Sequence, residues 1–433
     1  MRICMIGAGY VGLVSGACFS EFGFNVACID LDNSKIESLN NGIMPIYEPG
    51  LDDLVARNVE AGRLSFTTDF DNTVADSDVI FIAVGTPSRR GDGEADLEFV
   101  YAAARDIARV MKPGAIVVTK STVVVGTNRR VAEIIRENRP GVAFSVASNP
   151  EFLREGSAIE DFMRPDRVVI GVEDEAAETA LRRLYRPLSL RDAPLVVTSL
   201  ENAEITKYAA NAFLAMKVTF INEVANLCEA AGGNVREVAS AIGLDKRIGP
   251  KFLHAGPGFG GSCFPKDTRA FAATGKRYGA RQTLIEQVID INEARKTAMA
   301  ERVLENLDNP SHSTVAVLGI AFKPNTDDIR EAPSLAIIGR LLDAGVTVRA
   351  HDPEAMENAQ KVLDRVTFCD TELEAATGAD AVVIVTEWNA YRGMDLGKLA
   401  GAMRGDKLID LRNVFQPQDV DAAGLKLSGV GHR

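Results

Sequence analysis

Short apolar runs recur through the N-terminal third of the chain, separated by longer stretches of mixed polarity. Arg2 to Gly7 is the first run and Asn25 to Asp30 the second; Val79 to Val84, Ala115 to Thr119 and Phe144 to Ser148 follow. Leu13 to Phe22 is helical in character. Short strands alternating with helices of about 10–15 residues predict a parallel sheet with helices on both faces.

The pattern changes near Glu201. Ile205, Ala209, Phe213, Met216, Phe220, Val224, Leu227 and Ala231 follow at spacings of three and four, which fit one face of a long helix. Gly232-Gly233 ends it. Asn234 to Ile242 and Thr283 to Leu307 read as further helix. After Asn309-Pro310-Ser311 the alternation resumes, with strands at Thr314 to Gly319, Thr347 to His351, Ala381 to Thr386 and Lys407 to Asp410, and a helix at Ser334 to Ala344. The expected architecture is α/β: two Rossmann-like parallel-sheet domains, 1–199 and 309–433, joined by a helical central domain, 200–308, with a long connecting helix. The two ends share a layout, each with a strand ending in Gly and a second ending in Asp, at Asp30 and Asp352.

Composition narrows the function classes. Of 433 residues, 46% are hydrophobic and 25% charged, ordinary globular values. The net charge of -12 argues against a sequence-independent nucleic-acid binder, which carries a basic excess. No apolar run reaches the roughly 18 residues of a membrane span, and the N-terminus runs into glycines instead of a signal-peptide core. A soluble, cytoplasmic protein is expected, with neither nucleic acid nor membrane as partner. Cys4, Cys18, Cys28 and Cys228 sit in apolar segments and read as small core residues, Cys369 reads as core or strand-end, and no C-x-x-C pair exists. His254, His312, His351 and His432 have no metal-ligand spacing, so no metal is expected.

Gly7-Ala8-Gly9-Tyr10-Val11-Gly12 follows a strand and opens a helix, and Asp30 closes the next strand 18 residues after Gly12. That context makes the glycine pattern a dinucleotide fingerprint. The glycines allow a pyrophosphate close to backbone N–H groups at a helix N-terminus. Asp30 would accept from the adenosine ribose and repel a 2′-phosphate, favouring NAD over NADP. Val84-Gly85-Thr86-Pro87 and Lys120-Ser121-Thr122 each follow an apolar strand and read either as cofactor-edge loops or as turn chemistry.

Glu151 and Glu155, in Asn149-Pro150-Glu151-Phe152-Leu153-Arg154-Glu155-Gly156, are four apart, so a helical turn would put both on one face. Lys207 and Asn211 are also four apart, on the long helix; together they could stabilise an oxyanion, with a solvated helix face as the alternative. The richest stretch is Phe252-Leu253-His254-Ala255-Gly256-Pro257-Gly258-Phe259-Gly260-Gly261-Ser262-Cys263-Phe264-Pro265-Lys266-Asp267. Pro265 suits the first turn of a helix, which sets Cys263 at a helix N-terminus with Lys266 nearby. Both features favour the thiolate. Asp267, four residues on, is placed for acid/base work. A thiolate beside a nicotinamide site suits oxidation of an alcohol through the aldehyde to the acid by way of a thiohemiacetal and a thioester.

These motifs, with Pro45-Ile46-Tyr47-Glu48-Pro49-Gly50-Leu51 and Phe322-Lys323-Pro324-Asn325-Thr326-Asp327-Asp328-Ile329-Arg330-Glu331, resemble the UDP-glucose 6-dehydrogenase family, within the wider UDP-glucose/GDP-mannose dehydrogenases, over essentially the whole chain. The resemblance implies an NAD-dependent oxidation of UDP-glucose to UDP-glucuronate. It implies Cys263 as nucleophile, and Lys207 and Asn211 steadying the oxyanion and touching the sugar. Asp267, Thr122 and a water handle protons, and Glu151 aids thioester hydrolysis. NAD contacts fall on the glycine turn with Tyr10 and Val11, and on Asp30, Lys35, Thr86, Thr122, Glu155, Lys266 and Arg330. Substrate contacts fall on Glu151, Phe152, Leu153, Arg154, Glu155, Lys207 and Asn211, on Phe252, Leu253, His254, Ala255, Gly256 and Gly260, and on Lys323 and Arg412. The C-terminal domain helps hold the nucleotide, the central helices form a homodimer or higher homo-oligomer, and Arg247 matches a basic residue reaching the substrate from a neighbouring subunit. Three rival readings stand beside this one: a sister enzyme acting on GDP-mannose or a UDP-N-acetylhexosamine, a single-step hydroxyacid-type dehydrogenase, and a non-catalytic NAD- or nucleotide-sugar-binding protein.

Overall fold

A computed structural model describes residues 1–89, 93–189 and 193–432. The first sheet holds β1 (Arg2–Ile6), β2 (Asn25–Ile29), β3 (Leu64–Thr67), β4 (Val79–Ile82), β5 (Ala115–Thr119), β6 (Phe144–Ser148), β7 (Val168–Gly171) and β8 (Leu195–Thr198), in the order β3-β2-β1-β4-β5-β6-β7-β8. The second holds β9 (Thr314–Leu318), β10 (Thr347–His351), β11 (Val366–Phe368), β12 (Ala381–Ile384), β13 (Lys407–Asp410) and β14 (Lys426–Gly429), in the order β11-β10-β9-β12-β13-β14. Both carry the doubly wound order, whose ligand crevice lies beyond the strand ends where the order reverses: β1/β4 and β9/β12.

Val79-Ile80-Phe81-Ile82 and Ala381-Val382-Val383-Ile384 are buried along their whole length, as a parallel sheet covered on both faces requires. One joint departs from the expected parallel pairing. β6 meets β7 antiparallel, through Ser148 and Gly171 alone, after which β7 and β8 run parallel. The connection between β6 and β7 holds the short helix Ala158–Met163.

The long helix, Leu200–Ala231, is present as expected, but its apolar stripe is not its buried face. Ile205, Phe213, Phe220 and Leu227 are exposed, whereas Glu204, Lys207, Tyr208, Asn211, Thr219 and Asn222 are buried. An amphipathic helix ordinarily turns its apolar stripe to a core; this one buries these polar groups alongside small and apolar residues such as Ala203, Ala212, Ala215, Ile221 and Ala225.

By contact density the chain forms two compact units. One comprises 1–210 with 273–280, the other 211–272 with 281–433. Among the described residues no helix is long and apolar enough to cross a membrane.

Candidate active site

In the first unit, β1 runs into Gly7, whose N–H donates to Ile29 O at 2.8 Å. A side chain at Gly7 would stand 2.7 Å from Ala83 O, and one at Gly12 only 1.8 Å from Gly7 O, so the turn closes only with glycine at both. Gly9 is different: a Cβ there would meet nothing within 4 Å. Gly9 also caps the helix Tyr10–Glu21 without a side-chain hydrogen bond and with no acid in the first turn. The helix N-terminus therefore faces open space with its positive dipole end uncompensated, which suits a pyrophosphate.

Asp30, just past β2, takes Ala8 N at 3.0 Å, Asp32 N at 3.1 Å and Lys35 Nζ at 2.8 Å. Partial burial pushes its carboxyl up, but Lys35 and the two N–H groups outweigh it, and the acid is held below its ordinary range. A half-buried anion at this edge fits a ribose diol and disfavours a phosphate. Thr86 is buried and donates to Thr122 O at 3.0 Å, joining the two loops beyond β4 and β5. The half-buried Tyr10 donates its hydroxyl to Glu48. Glu48, buried, also takes Gly156 N and Ala158 N at 2.7 Å each, so it ties the glycine turn to the segment carrying Glu151. The sequence shows Glu48 inside a motif but not these partners, more than a hundred positions away.

Glu151 and Lys207 are both buried and pair at 2.9 Å. Leu153 N donates to the same carboxylate. Burial raises the Glu151 pKa, but Lys207, Leu153 N and the charge of Lys120 outweigh it, and the net direction is down. Lys207 also lies 5.3 Å from the centre of the Phe152 ring, and the Arg167 guanidinium 3.6 Å from it. The helical turn expected over Glu151 and Glu155 is absent: helix begins only at Ala158. Pro150 disfavours helix at Asn149, and the Glu151 carboxylate folds back onto the Leu153 N–H. Glu155 is half-buried, and Arg154 lies at the surface, held by Asp161.

In the second unit, the loop before Cys263 is pinned by buried amides. Gly256 N donates to Asn222 Oδ1 and Phe259 N to Asn292 Oδ1, each at 2.8 Å, while Arg295 Nε donates to Gly256 O at 3.0 Å. A Cβ on Gly260 would fall 2.5 Å from Glu331 O, and Gly261 N donates to Arg330 O at 2.8 Å. Phe252 adopts a positive φ of 65°. Leu253, Ala255 and Gly256 are buried and His254 is exposed.

Cys263 stands immediately before the helix Phe264–Arg277, with Pro265 in its first turn. The thiol is partly accessible, its Sγ 3.4 Å from Ser262 Oγ, whereas the five other cysteines are buried. Asp267 N donates to Cys263 O at 2.8 Å. The Asp267 carboxylate is 1% exposed and takes Asn211 Nδ2 at 2.6 Å and Lys266 Nζ at 2.7 Å. Lys207 and Asn211 are thus both buried, which removes the solvated-face alternative; each meets a carboxylate, Glu151 and Asp267 respectively.

Arg412 donates to Val385 O and Phe322 O, pairs with Glu387, and its guanidinium would lie 3.2 Å from a Cβ on Gly256. Lys323 is half-buried, with Nζ 5.4 Å from the Phe322 ring centre. Arg330 is exposed and pairs with Asp328. Arg247 is exposed and pairs with Asp245. Among the described residues no group of three or more His, Cys, Asp or Glu could hold a metal ion.

Comparison with known proteins covers the whole length. Models of the UDP-glucose/GDP-mannose dehydrogenase family match as its NAD binding domain over 1–189, its central domain over 201–294 and its UDP binding domain over 316–417. A UDP-glucose 6-dehydrogenase of Rhizobium meliloti (strain 1021) is 54% identical over 100% of this chain and 99% of its own length. A solved UDP-glucose dehydrogenase from the archaeon Pyrobaculum islandicum is 43% identical with a TM-score of 0.89, covering 96% of this chain and 95% of the other. A UDP-D-ManNAc dehydrogenase from Pyrococcus horikoshii is 29% identical with a TM-score of 0.87, covering 100% and 99%.

Proposed function

Because the chain belongs to the UDP-glucose/GDP-mannose dehydrogenase family, we propose that it is an NAD-dependent UDP-glucose dehydrogenase that carries C6 of the sugar from alcohol to carboxylate through a covalent intermediate on Cys263. The balanced reaction takes UDP-glucose, two NAD⁺ and one water to UDP-glucuronate, two NADH and three protons. Bound NAD supplies the hydride acceptor for both oxidations.

The chain's residues divide the remaining work. The Gly7–Gly12 turn and the uncapped helix N-terminus hold the pyrophosphate, and Asp30 with Lys35 the ribose. Thr86, Thr122, Glu155, Lys266 and Arg330 complete the cofactor contacts. In the first oxidation C6 loses a hydride, and its hydroxyl proton leaves toward Asp267 and Thr122 by way of water. The Cys263 thiolate then adds to the aldehyde carbon, and the Lys207 ammonium and Asn211 amide steady the resulting oxyanion. Loss of a second hydride turns the thiohemiacetal into a thioester. Water attacks that carbon, Glu151 takes its proton, and the C–S bond breaks to return the thiolate. Substrate is held by Phe152 to Glu155, by Phe252 to Gly256 with Gly260, and by Lys323 and Arg412.

We assign three domains, 1–199, 200–308 and 309–433, to cofactor, dimerisation with the thiol loop, and UDP-sugar. The exposed stripe Ile205, Phe213, Phe220 and Leu227 suits a second copy of this chain, which would present Arg247 to its neighbour's substrate.

One observation carries the chemistry: the buried Asn211–Asp267 pair, with Lys266 half-buried on the same carboxylate, at the head of the helix that Cys263 precedes. A Cys263→Ser variant tests it. Steady turnover to the acid should fall by more than about 10³-fold, the scale of losing a nucleophile, with UDP-glucose binding retained. Normal turnover to UDP-glucuronate in that variant would contradict the thioester route.

A further inference from the structure

Behind Glu151 lies a second lysine that the reaction scheme does not use. Lys120 follows β5 and is 3% exposed. Its Nζ lies 3.2 Å from Asn149 Oδ1 and 3.3 Å from Tyr185 Oη, and 5.7 Å from the centre of the Phe162 ring. Tyr185 donates to the same Asn149 oxygen at 2.5 Å, and Asn149 Nδ2 donates to Val169 O at 2.9 Å. Asn149, two residues before Glu151, is therefore held on both ends of its amide.

The charges around this lysine are unbalanced. The titratable groups facing it are Cys18 on the helix Tyr10–Glu21, Tyr185 after the helix Glu175–Leu184, Glu151 beyond β6, and Lys207 on the long helix. Two buried ammonium groups thus share one carboxylate, and the direct ion pair belongs to Lys207. A buried lysine hydrogen-bonded only to neutral oxygens is costly, and burial brings its pKa down to about 8. A neutral side chain of the same length would avoid that cost but would lose the bond to Asn149 Oδ1 and the positive charge beside Glu151.

We propose that Lys120 is a positioning residue: it fixes the Asn149–Glu151 segment through the Asn149 carbonyl and, by its charge, helps keep the buried Glu151 carboxylate ionised for its work as base. The inference rests on the role given to Glu151 above. Burial alone would drive that carboxyl toward its neutral form, and the charge at position 120 opposes this together with Lys207 and the Leu153 N–H.

The test compares wild type with Lys120→Met, which keeps most of the side-chain volume, and Lys120→Arg, which keeps the charge. The pH titration of the protonated-carboxyl infrared band is followed, assigned by its loss in Glu151→Gln. The Lys120→Met midpoint should lie about one unit above the wild type's, the lower end of what a neighbouring charge does, with the arginine variant in between. A Lys120→Met midpoint no higher than the wild type's, or no protonated band in either protein, overturns the inference. The pH profile of kcat then separates the two readings. A raised infrared midpoint with an unmoved acid limb leaves Lys120 in its role and removes Glu151 as the base. If Lys120→Met is unstable, Tyr185→Phe, which frees one Asn149 bond and leaves the charge, should lower kcat without moving the midpoint; a moved midpoint there assigns the effect to packing and also overturns the inference.

Discussion

The two sheets place the same corner in front of their switch points and use it in opposite ways. In each, a glycine with positive φ ends the first strand and donates its N–H to the last residue of the second: Gly7 to Ile29 O at 2.8 Å, Gly319 to His351 O at 2.9 Å. In each, an aspartate follows at once. Asp30 remains half-open, binding Ala8 N and Lys35, and the corner beside it leads to the clear space at Gly9. Asp352 is 1% exposed and saturated: Ile320 N, Ala321 N, Glu354 N, Ala355 N and Trp388 Nε1 all donate to it within 3.1 Å. The helix after β1 starts within the glycine turn, whereas after β9 the chain wanders from 319 to 332 before the helix Pro333–Asp343. One acidic corner is thus left half-open, as the proposed cofactor role of Asp30 requires, and the other is a structural knot. The same residue pattern can serve a ligand only where its hydrogen-bonding capacity is left unfilled.

That contrast can be broken at several points. The largest effect is expected from Asp352→Ala, which strands five donors, four of them on buried residues, and should cost about 3–5 kcal/mol, read as a lowered midpoint in urea. A near-neutral result would mean the second corner is as open as the first. Gly319→Ala comes next. Its methyl would stand 2.5 Å from Thr386 Cβ at a φ of +97°, so a loss of roughly 2–3 kcal/mol is expected.

The matched changes in the first sheet should act on cofactor and hardly on stability. Asp30→Ala should raise KM for NAD about tenfold and narrow the preference over NADP, since Lys35 is then free to meet a 2′-phosphate. An unchanged preference would remove Asp30 from the ribose. Gly9→Ala has room for its methyl and should leave thermal stability untouched while raising KM for NAD by a smaller factor, about threefold to fivefold. A stability loss there would show that the space is not open.

Much of this was legible from residue pattern alone. The boundaries of β5, β6, β10 and β13 match the expected strands to the residue; in β5 the buried strand is a continuous apolar run ending at Thr119. β3, β8, β11 and β14, which are not among the expected strands, are the edge strands of the two sheets; exposed positions interrupt the pattern there, although β8 keeps the apolar run Leu195-Val196-Val197. β7 is buried and four residues long, as β4 and β12 are, and its Val168-Val169-Ile170 run is a strand missing from those expected.

Within the site, the cysteine loop declared itself through its glycines and proline. The partnerships did not. Asn211 with Asp267, Lys207 with Glu151, and Glu48 with Gly156 join positions 56 to 108 apart, and no local period encodes them. The long helix misled for a related reason. Its apolar stripe is genuine, but the buried face carries Glu204, Lys207 and Asn211 among small and apolar residues such as Ala203, Ala212, Ala215 and Ile221.

The most direct test of the central claim is the NADH formed per UDP-glucose consumed, at limiting sugar nucleotide and excess NAD, followed at the nicotinamide absorbance. Two hydride transfers to one carbon predict about two NADH per UDP-glucose. A yield of about one would contradict the account, leaving a one-step alcohol dehydrogenase with no need of Cys263.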